Sequence, residues 1–302
     1  MAVRKLSELF DLFDGKELKT IVAVCANDTH TIEAIAEAVT KKIVKGVLIG
    51  DESVIHSICR ETGIETENLT ILHEPNDLKA ARLAVDLINR GEGDILMKGL
   101  ISTDKFMRSI LHKETGLVDS GNVVSHVTIF EIETYHKLLI VGDVAVIPLP
   151  DLPQKIQIIK YLSQVAHRMG IAIPKVAVIA PTEHILLPLV STTDAAILAK
   201  MNERGQIPGC VIDGPLALDV AIDAETAIVK GLKSVVAGDA DCLLFPNLES
   251  GNVFYKVNTK LGKAESAAIM VGARVPVVLA SRGDSSNVKL LSIALGALMA
   301  NS

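Results

Sequence analysis

Thr20-Ile21-Val22-Ala23-Val24-Cys25-Ala26-Asn27-Asp28-Thr29 is the stretch that decides the fold. Thr20–Cys25 is a short apolar strand. Asn27, Asp28 and Thr29 then supply a turn and a helix cap, because short polar side chains accept hydrogen bonds from the first free backbone N–H groups of a helix. From Ile32 to Val39 apolar residues recur at helical spacing. A strand followed directly by a capped amphipathic helix is one β-α unit.

The same unit recurs downstream. Gly46–Gly50 reads as a strand followed by a helix around Glu52–Arg60, and Leu69–His73 as a strand before the helix Asp77–Arg90, which ends at Gly91. Asp94–Met97 is a fourth strand, and Lys98-Gly99 turns into a helix near Thr103–His112. The pattern changes after Gly116, where Val123–Glu131 and Lys137–Val141 form a hairpin across Glu133-Thr134-Tyr135. Alternation then resumes with a helix over Gln154–Met169, a strand over Lys175–Ala180, a helix over Ser191–Arg204 and a strand over Cys210–Asp213. Ala224–Lys230 is helical, Asp241–Phe245 is a strand and Pro246–Gly251 is a loop. Tyr255–Leu261 and Glu265–Val271 lead to a last strand and the apolar helix Val288–Ala300. The expectation is an α/β chain with two parallel-rich α/β/α lobes and a cleft between them. The first lobe is residues 1–118 plus 270–302, and the second is 119–269.

Composition agrees. The chain has 302 residues, 49% hydrophobic, rich in Ala, Ile, Leu and Val, as a parallel sheet covered on both faces requires. The net charge of −6 and the lack of a dense basic run speak against a nucleic-acid partner. Leu6–Phe13 is interrupted by Glu8 and Asp11, and no apolar run spans a bilayer, so neither a signal peptide nor a membrane partner is expected. Cys25, Cys59, Cys210 and Cys242 are widely spaced without a CxxC pair, which reads as reduced thiols in a cytoplasmic protein.

Three segments carry potential chemistry. Val277-Val278-Leu279-Ala280-Ser281-Arg282-Gly283-Asp284-Ser285-Ser286 is an apolar strand running into a helix that starts from Asp284 or Ser285. Backbone N–H groups at such a start attract anions, and Arg282 adds a forked permanent charge suited to phosphate. Lys98-Gly99-Leu100-Ile101-Ser102-Thr103-Asp104 is a second strand-to-helix junction. Gly99 permits close backbone approach there, and Ser102 or Thr103 caps the helix; an ordinary cap beside a solvated lysine is the plainer alternative. Lys256 and Lys260, four residues apart, share a helix face and present charge to the cleft or simply to solvent. No complete dinucleotide fingerprint, Gly-Lys-Ser/Thr phosphate loop, Gly-x-Ser-x-Gly elbow or HExxH pair occurs, and no metal site is assigned. His126 and His136 read as structural.

Ser281-Arg282-Gly283-Asp284-Ser285 followed by Lys289–Leu295 closely resembles the C-terminal signature of the phosphate acetyl/butyryltransferases. The resemblance extends to Asp213–Asp219, Phe245-Pro246-Asn247, Gly251–Lys256 and Lys98–Thr103, and is nearer to the butyryl branch than to the acetyl branch. It implies acyl transfer between an acyl phosphate and coenzyme A without a metal or a tightly bound cofactor. It also implies the two-lobed fold of the isocitrate and isopropylmalate dehydrogenases, as a homodimer. Ser281 and Arg282 would lie in the active site, with Arg282 on phosphate or coenzyme A. Lys260 stands where the acetyl branch has an arginine. Asn287 and Val288 stand where that branch has an acid proposed as the thiol base, which leaves Asp284 as the nearest carboxylate. The expected catalytic set is Ser281, Arg282, Asp284 and Ser102. Lys98, Gly99, Thr103, Asn252, Lys256, Lys260 and Arg282 would bind the substrates, coenzyme A, acyl phosphate and inorganic phosphate. Direct thiolate attack needs no enzyme nucleophile. Two alternatives stand beside this. One is an NAD- and metal-dependent decarboxylating dehydrogenase of the same fold, drawing on Asp213, Asp219 and Asp223. The other is a non-catalytic protein that binds coenzyme A or acyl phosphate.

Overall fold

A computed structural model describes residues 2–279 and 283–300. The chain divides into two compact units, Ser7–Val124 with Ala267–Ser302, and Met1–Leu6 with Ser125–Ser266.

The first unit contains β1 (Lys19–Val24), α1 (Thr29–Thr40), β2 (Val44–Gly50), α2 (Glu52–Thr62), β3 (Leu69–His73), α3 (Asp77–Asn89), β4 (Ile95–Lys98) and α4 (Thr103–Ile110). The second contains β5 (Ser125–Glu131), β6 (Leu139–Gly142), α5 (Leu152–Arg168), β7 (Lys175–Ile179), α6 (Val190–Glu203), β8 (Val211–Leu216), α7 (Leu218–Ile222), α8 (Ala224–Val229), β9 (Cys242–Leu244) and α9 (Leu248–Lys256). The chain then returns through β10 (Glu265–Val271) and β11 (Val277–Val278) to α10 (Ser286–Met299).

Within the first unit the strand order is β3-β2-β1-β4-β11-β10, parallel except where β10 meets β11. β1 has a strand on each side, Ile21 opposite Gly46 of β2 and Ile95 of β4, and Ile21–Val24 are fully buried. That double burial is why β1 is apolar at successive positions rather than at alternate ones. Asp28, Asp51, Asn76, Ser102 and Ser285 each cap the helix that follows a parallel strand. Five helix N-termini therefore gather at the carboxyl edge of this sheet, the edge where ligands of α/β folds bind. α10 is buried over Lys289–Leu298, which explains its apolar character on every face.

In the second unit the order is β5-β6-β9-β7-β8. β5 and β6 form the expected antiparallel hairpin, with Thr128 opposite Val141, and the remaining pairs are parallel. Phe130, Leu139, Val141, Leu243 and Phe245 build the core of this unit, with Phe254 and Tyr255 packed on Phe130 at ring separations of 5.9 and 5.6 Å.

Two assignments change. Leu248–Gly251 is the first turn of α9, not loop, because the Asn247 side chain accepts from Ser250 N at 2.9 Å and caps a helix. Leu6–Phe13, unassigned from sequence, is a 3-10 helix. Among the described residues no helix is long and apolar enough to cross a membrane.

Candidate functional site

β1, β4 and β11 are neighbours in the first unit, so the chain leaves three adjacent strands at Cys25, Gly99 and Leu279. Lys98 ends β4 and is 3% exposed, with its Nζ donating to the Gly99 carbonyl at 3.2 Å. The solvated-lysine alternative is thereby corrected: a strand covered on both faces carries its last side chain inside. Gly99 N donates to Val24 O at 2.9 Å and Leu100 N to Cys25 O at 2.8 Å. A Cβ at position 99 would collide with those same two carbonyl oxygens. The glycine thus serves the approach of this loop to the end of β1. Ser102 caps α4, its Oγ accepting from Lys105 N at 3.4 Å, and Thr103 is exposed in the first turn. Lys105 pairs with Asp77 at 2.7 Å and joins α4 to α3.

Asp284 is half-buried, and the cap of α10 is Ser285, whose Oγ accepts from Val288 N at 3.3 Å. Ser281 and Arg282 lie outside the described residues. Lys98, Gly99, Ser102 and Thr103 therefore share one strand-to-helix junction, from the last residue of β4 to the first of α4, and β11 runs beside β4.

Asn252, Lys256 and Lys260 belong to the second unit. Asn252 Nδ2 donates to Val144 O at 3.1 Å, so its amide holds the loop after β6. Lys256 Nζ sits 5.1 Å from the Tyr255 ring centroid. Lys260 lies in a π-helical turn, Val257–Leu261, which continues α9, and both lysines are exposed. The helix carrying the two is α-helical up to Lys256 and continues through Lys260 as that turn, whose hydrogen bonds close on the fifth residue instead of the fourth.

Sequence reasoning missed two buried polar centres. Asp143, 2% exposed, accepts from Ser125 Oγ (2.8 Å) and His126 N (3.2 Å) at Oδ2, and from Ala145 N (2.7 Å) and Val146 N (2.8 Å) at Oδ1. An aspartate directly after an apolar strand was its only signal. Lys289 Nζ, buried in α10, reaches Asp28 Oδ1 at 3.1 Å and Thr31 Oγ1 at 2.9 Å. A lone lysine in an otherwise apolar helix was the signal there.

All four cysteines are buried and free. Burial, then the charge of Asp77, pushes the Cys25 thiol up to about 12, and burial raises Cys242 well above its usual range. Neither supplies a thiolate near neutrality. The three aspartates considered as metal ligands serve local structure. Asp213 accepts from Gly214 N at 2.8 Å, Asp219 pairs with Lys230 at 3.2 Å, and Asp223 caps α8 through Thr226 N at 2.8 Å. Among the described residues no group of three or more His, Cys, Asp or Glu is placed to hold a metal ion.

The family model described as Phosphate acetyl/butaryl transferase matches residues 67–297. Phosphate butyryltransferase of Clostridium acetobutylicum is 44% identical over 298 residues, covering 99% of each chain. Phosphate acetyltransferase of Thermotoga maritima is 42% identical over 295 residues, covering 98% of this chain and 99% of its own. The crystal structure of a branched-chain phosphotransacylase from Enterococcus faecalis V583 superposes with a TM-score of 0.80 at 25% identity, covering 94% of this chain and all of that one. The family match and the identity along nearly the whole chain show that this chain belongs to the phosphate acetyl/butyryl transferase family.

Proposed function

We propose that the protein is a phosphate acyltransferase that moves a short-chain acyl group, butyryl or similar, between coenzyme A and inorganic phosphate. The observation that carries this is identity above 40% along essentially the whole chain to enzymes named for that transfer. The thiolate sulfur of coenzyme A attacks the carbonyl carbon of the acyl phosphate, the carbon–oxygen bond to phosphorus breaks, and inorganic phosphate leaves. The reverse sequence makes acyl phosphate. Since acyl phosphate is already activated, the protein's work is positioning and charge stabilisation.

In this reading Arg282 and the Ser102-Thr103 helix start hold the phosphoryl oxygens. Ser281 donates to the carbonyl oxygen or the thiol, and Asp284 takes the thiol proton. Lys98 and Lys260 supply positive field, and Gly99, Asn252 and Lys256 complete the substrate contacts. Coenzyme A is a substrate and no tightly bound cofactor takes part. The reading includes a cytoplasmic homodimer. It also includes the two-lobed architecture of the isocitrate and isopropylmalate dehydrogenases, with lobes 1–118 plus 270–302 and 119–269. The dehydrogenase alternative loses its support, because Asp213, Asp219 and Asp223 are engaged locally.

The test is a chain-length series. Purified protein with acyl-CoA of two to six carbons and phosphate is expected to release free thiol, fastest near butyryl, with or without chelator. No release across the series would refute the transferase reading.

A further inference from the structure

α9 does not end as an ordinary helix. After Lys256 it continues through Val257–Leu261 as a π-turn. Gly262 N donates to Val257 O at 2.9 Å, and Ala264 N donates to Asn258 O at 3.0 Å. Two consecutive side chains account for the winding. Asn258 Nδ2 donates to Phe254 O at 2.9 Å, and Thr259 Oγ1 donates to Tyr255 O at 2.9 Å. Each reaches back four residues, to the carbonyl that an α-helix would pair with that residue's own N–H. A side chain competing for that carbonyl disfavours regular α winding. Asn258 and Thr259 are both half-buried, so these bonds are partly shielded from water.

The winding decides what the segment presents. A π-turn holds one residue more per hydrogen-bonded ring than an α-turn, so it rotates side chains by up to about 100° from their α-helical directions. Lys260 lies inside the turn. Along the same segment Val253, Val257 and Leu261 are exposed at 62%, 46% and 80%, interleaved with the exposed Lys256 and Lys260. Inorganic phosphate matches only the charge of such a surface. Coenzyme A, which carries phosphates on a long arm with apolar stretches, matches both. Turns of this kind recur at functional sites, where their awkward winding is retained for what it orients.

We propose that Asn258 and Thr259 are positioning residues for coenzyme A: their bonds to the carbonyls of Phe254 and Tyr255 hold the π-turn, and the π-turn aims Lys260 at the phosphates of that substrate. This rests on the assignment of Lys260 to the substrate made above. Neither Asn258 nor Thr259 touches coenzyme A.

The principal test is Thr259→Val, which keeps the shape of the side chain and loses its donor, alone and on a Lys260→Ala background. Binding of free coenzyme A is read by calorimetry, with KM for acyl-CoA and for phosphate beside it. Thr259→Val is expected to bind coenzyme A at least about threefold more weakly and to raise KM for acyl-CoA alike, while KM for phosphate stays within twofold. Thr259→Ser keeps the hydroxyl and is expected to bind as the parent does. On the Lys260→Ala background Thr259→Val should weaken binding no further, because residues that act through one another are not additive. Parent-like binding by Thr259→Val, or an equal loss on both backgrounds, would overturn the proposal. Asn258→Ala removes the other back-bond and is held to the same outcomes, so a misfolded Thr259 variant leaves the test standing. Lys260→Ala by itself separates the two assignments. If it binds coenzyme A as the parent does, the assignment of Lys260 falls and the proposal with it. If it binds weakly while Thr259→Val does not, the proposal falls alone. Binding is compared without turnover, so an inactive parent would refute the transferase reading alone.

Discussion

Asn252 donates its side-chain amide to the main-chain carbonyl of Val144, 3.1 Å away and 108 residues earlier in the chain. Beside it, Gly251 sits so close to the Asp143 carbonyl that a Cβ would collide with it. α9 and the loop after β6 are thus held together at their closest approach, and Asn252 secures that contact. Replacing Asn252 with Ala leaves the carbonyl without this donor, and the free energy of unfolding in urea is expected to fall by about 1 kcal/mol. A substitution that alters KM for acyl-CoA but leaves the urea midpoint unchanged would contradict this structural role.

Gly99 meets a harder limit. The atoms a Cβ would strike are main-chain carbonyl oxygens at the end of β1, which cannot rotate away. Gly99→Ala is expected to cost at least about 2 kcal/mol by chemical denaturation. An alanine variant of unchanged stability would mean that this loop moves freely relative to β1.

The acid limb of stability should depend on Asp239. Burial raises its pKa, but hydrogen bonds and charge from Lys137, Lys175 and His136 outweigh burial and hold it well below the ordinary 3.8. A lowered carboxyl pKa contributes stability that is complete above the unfolded value and is lost as pH falls toward the folded one. The parent is therefore expected to exceed Asp239→Asn in stability at neutral pH, with the gap narrowing from about pH 4 to about pH 2. Melting temperatures across that range are the measurement, and a constant gap is the contrary result.

The cysteines should be silent. All four are buried, with Cys25 raised to about 12. Native protein is expected to resist a disulfide reagent at neutral pH, whereas all four thiols react in guanidinium. Alkylation under native conditions should leave turnover intact. Rapid labelling of one thiol with parallel loss of turnover would bring a cysteine into the mechanism.

Arg282 carries the phosphate assignment. Lysine keeps its charge but not the planar fork that grips two oxygens at once. Arg282→Lys is expected to fold normally and to lose at least about tenfold in kcat/KM, equivalent to ~1.4 kcal/mol of transition-state stabilisation. Parent-like kinetics with both phosphate and coenzyme A would remove Arg282 from the site.

The sequence by itself determined the β-α alternation, the hairpin at β5–β6, the polar caps and the family. Each of these is written locally, in apolar runs of strand length, Asp or Ser ahead of a helix, and short signature segments such as Lys98–Thr103. Only the tertiary structure decided which polar residues face inward. Lys98 and Lys289 are lysines that composition would leave in water, and both are buried because β4 is covered on both faces and α10 is enclosed. The partner that makes the second of these tolerable, Asp28, is 261 residues away. Asn252 became a tie to Val144, and Asp143 the acceptor of four hydrogen bonds, for the same reason. A buried polar atom takes the nearest partner in space, and nothing in the local pattern of residues encodes a partner brought close by the folding of distant strands.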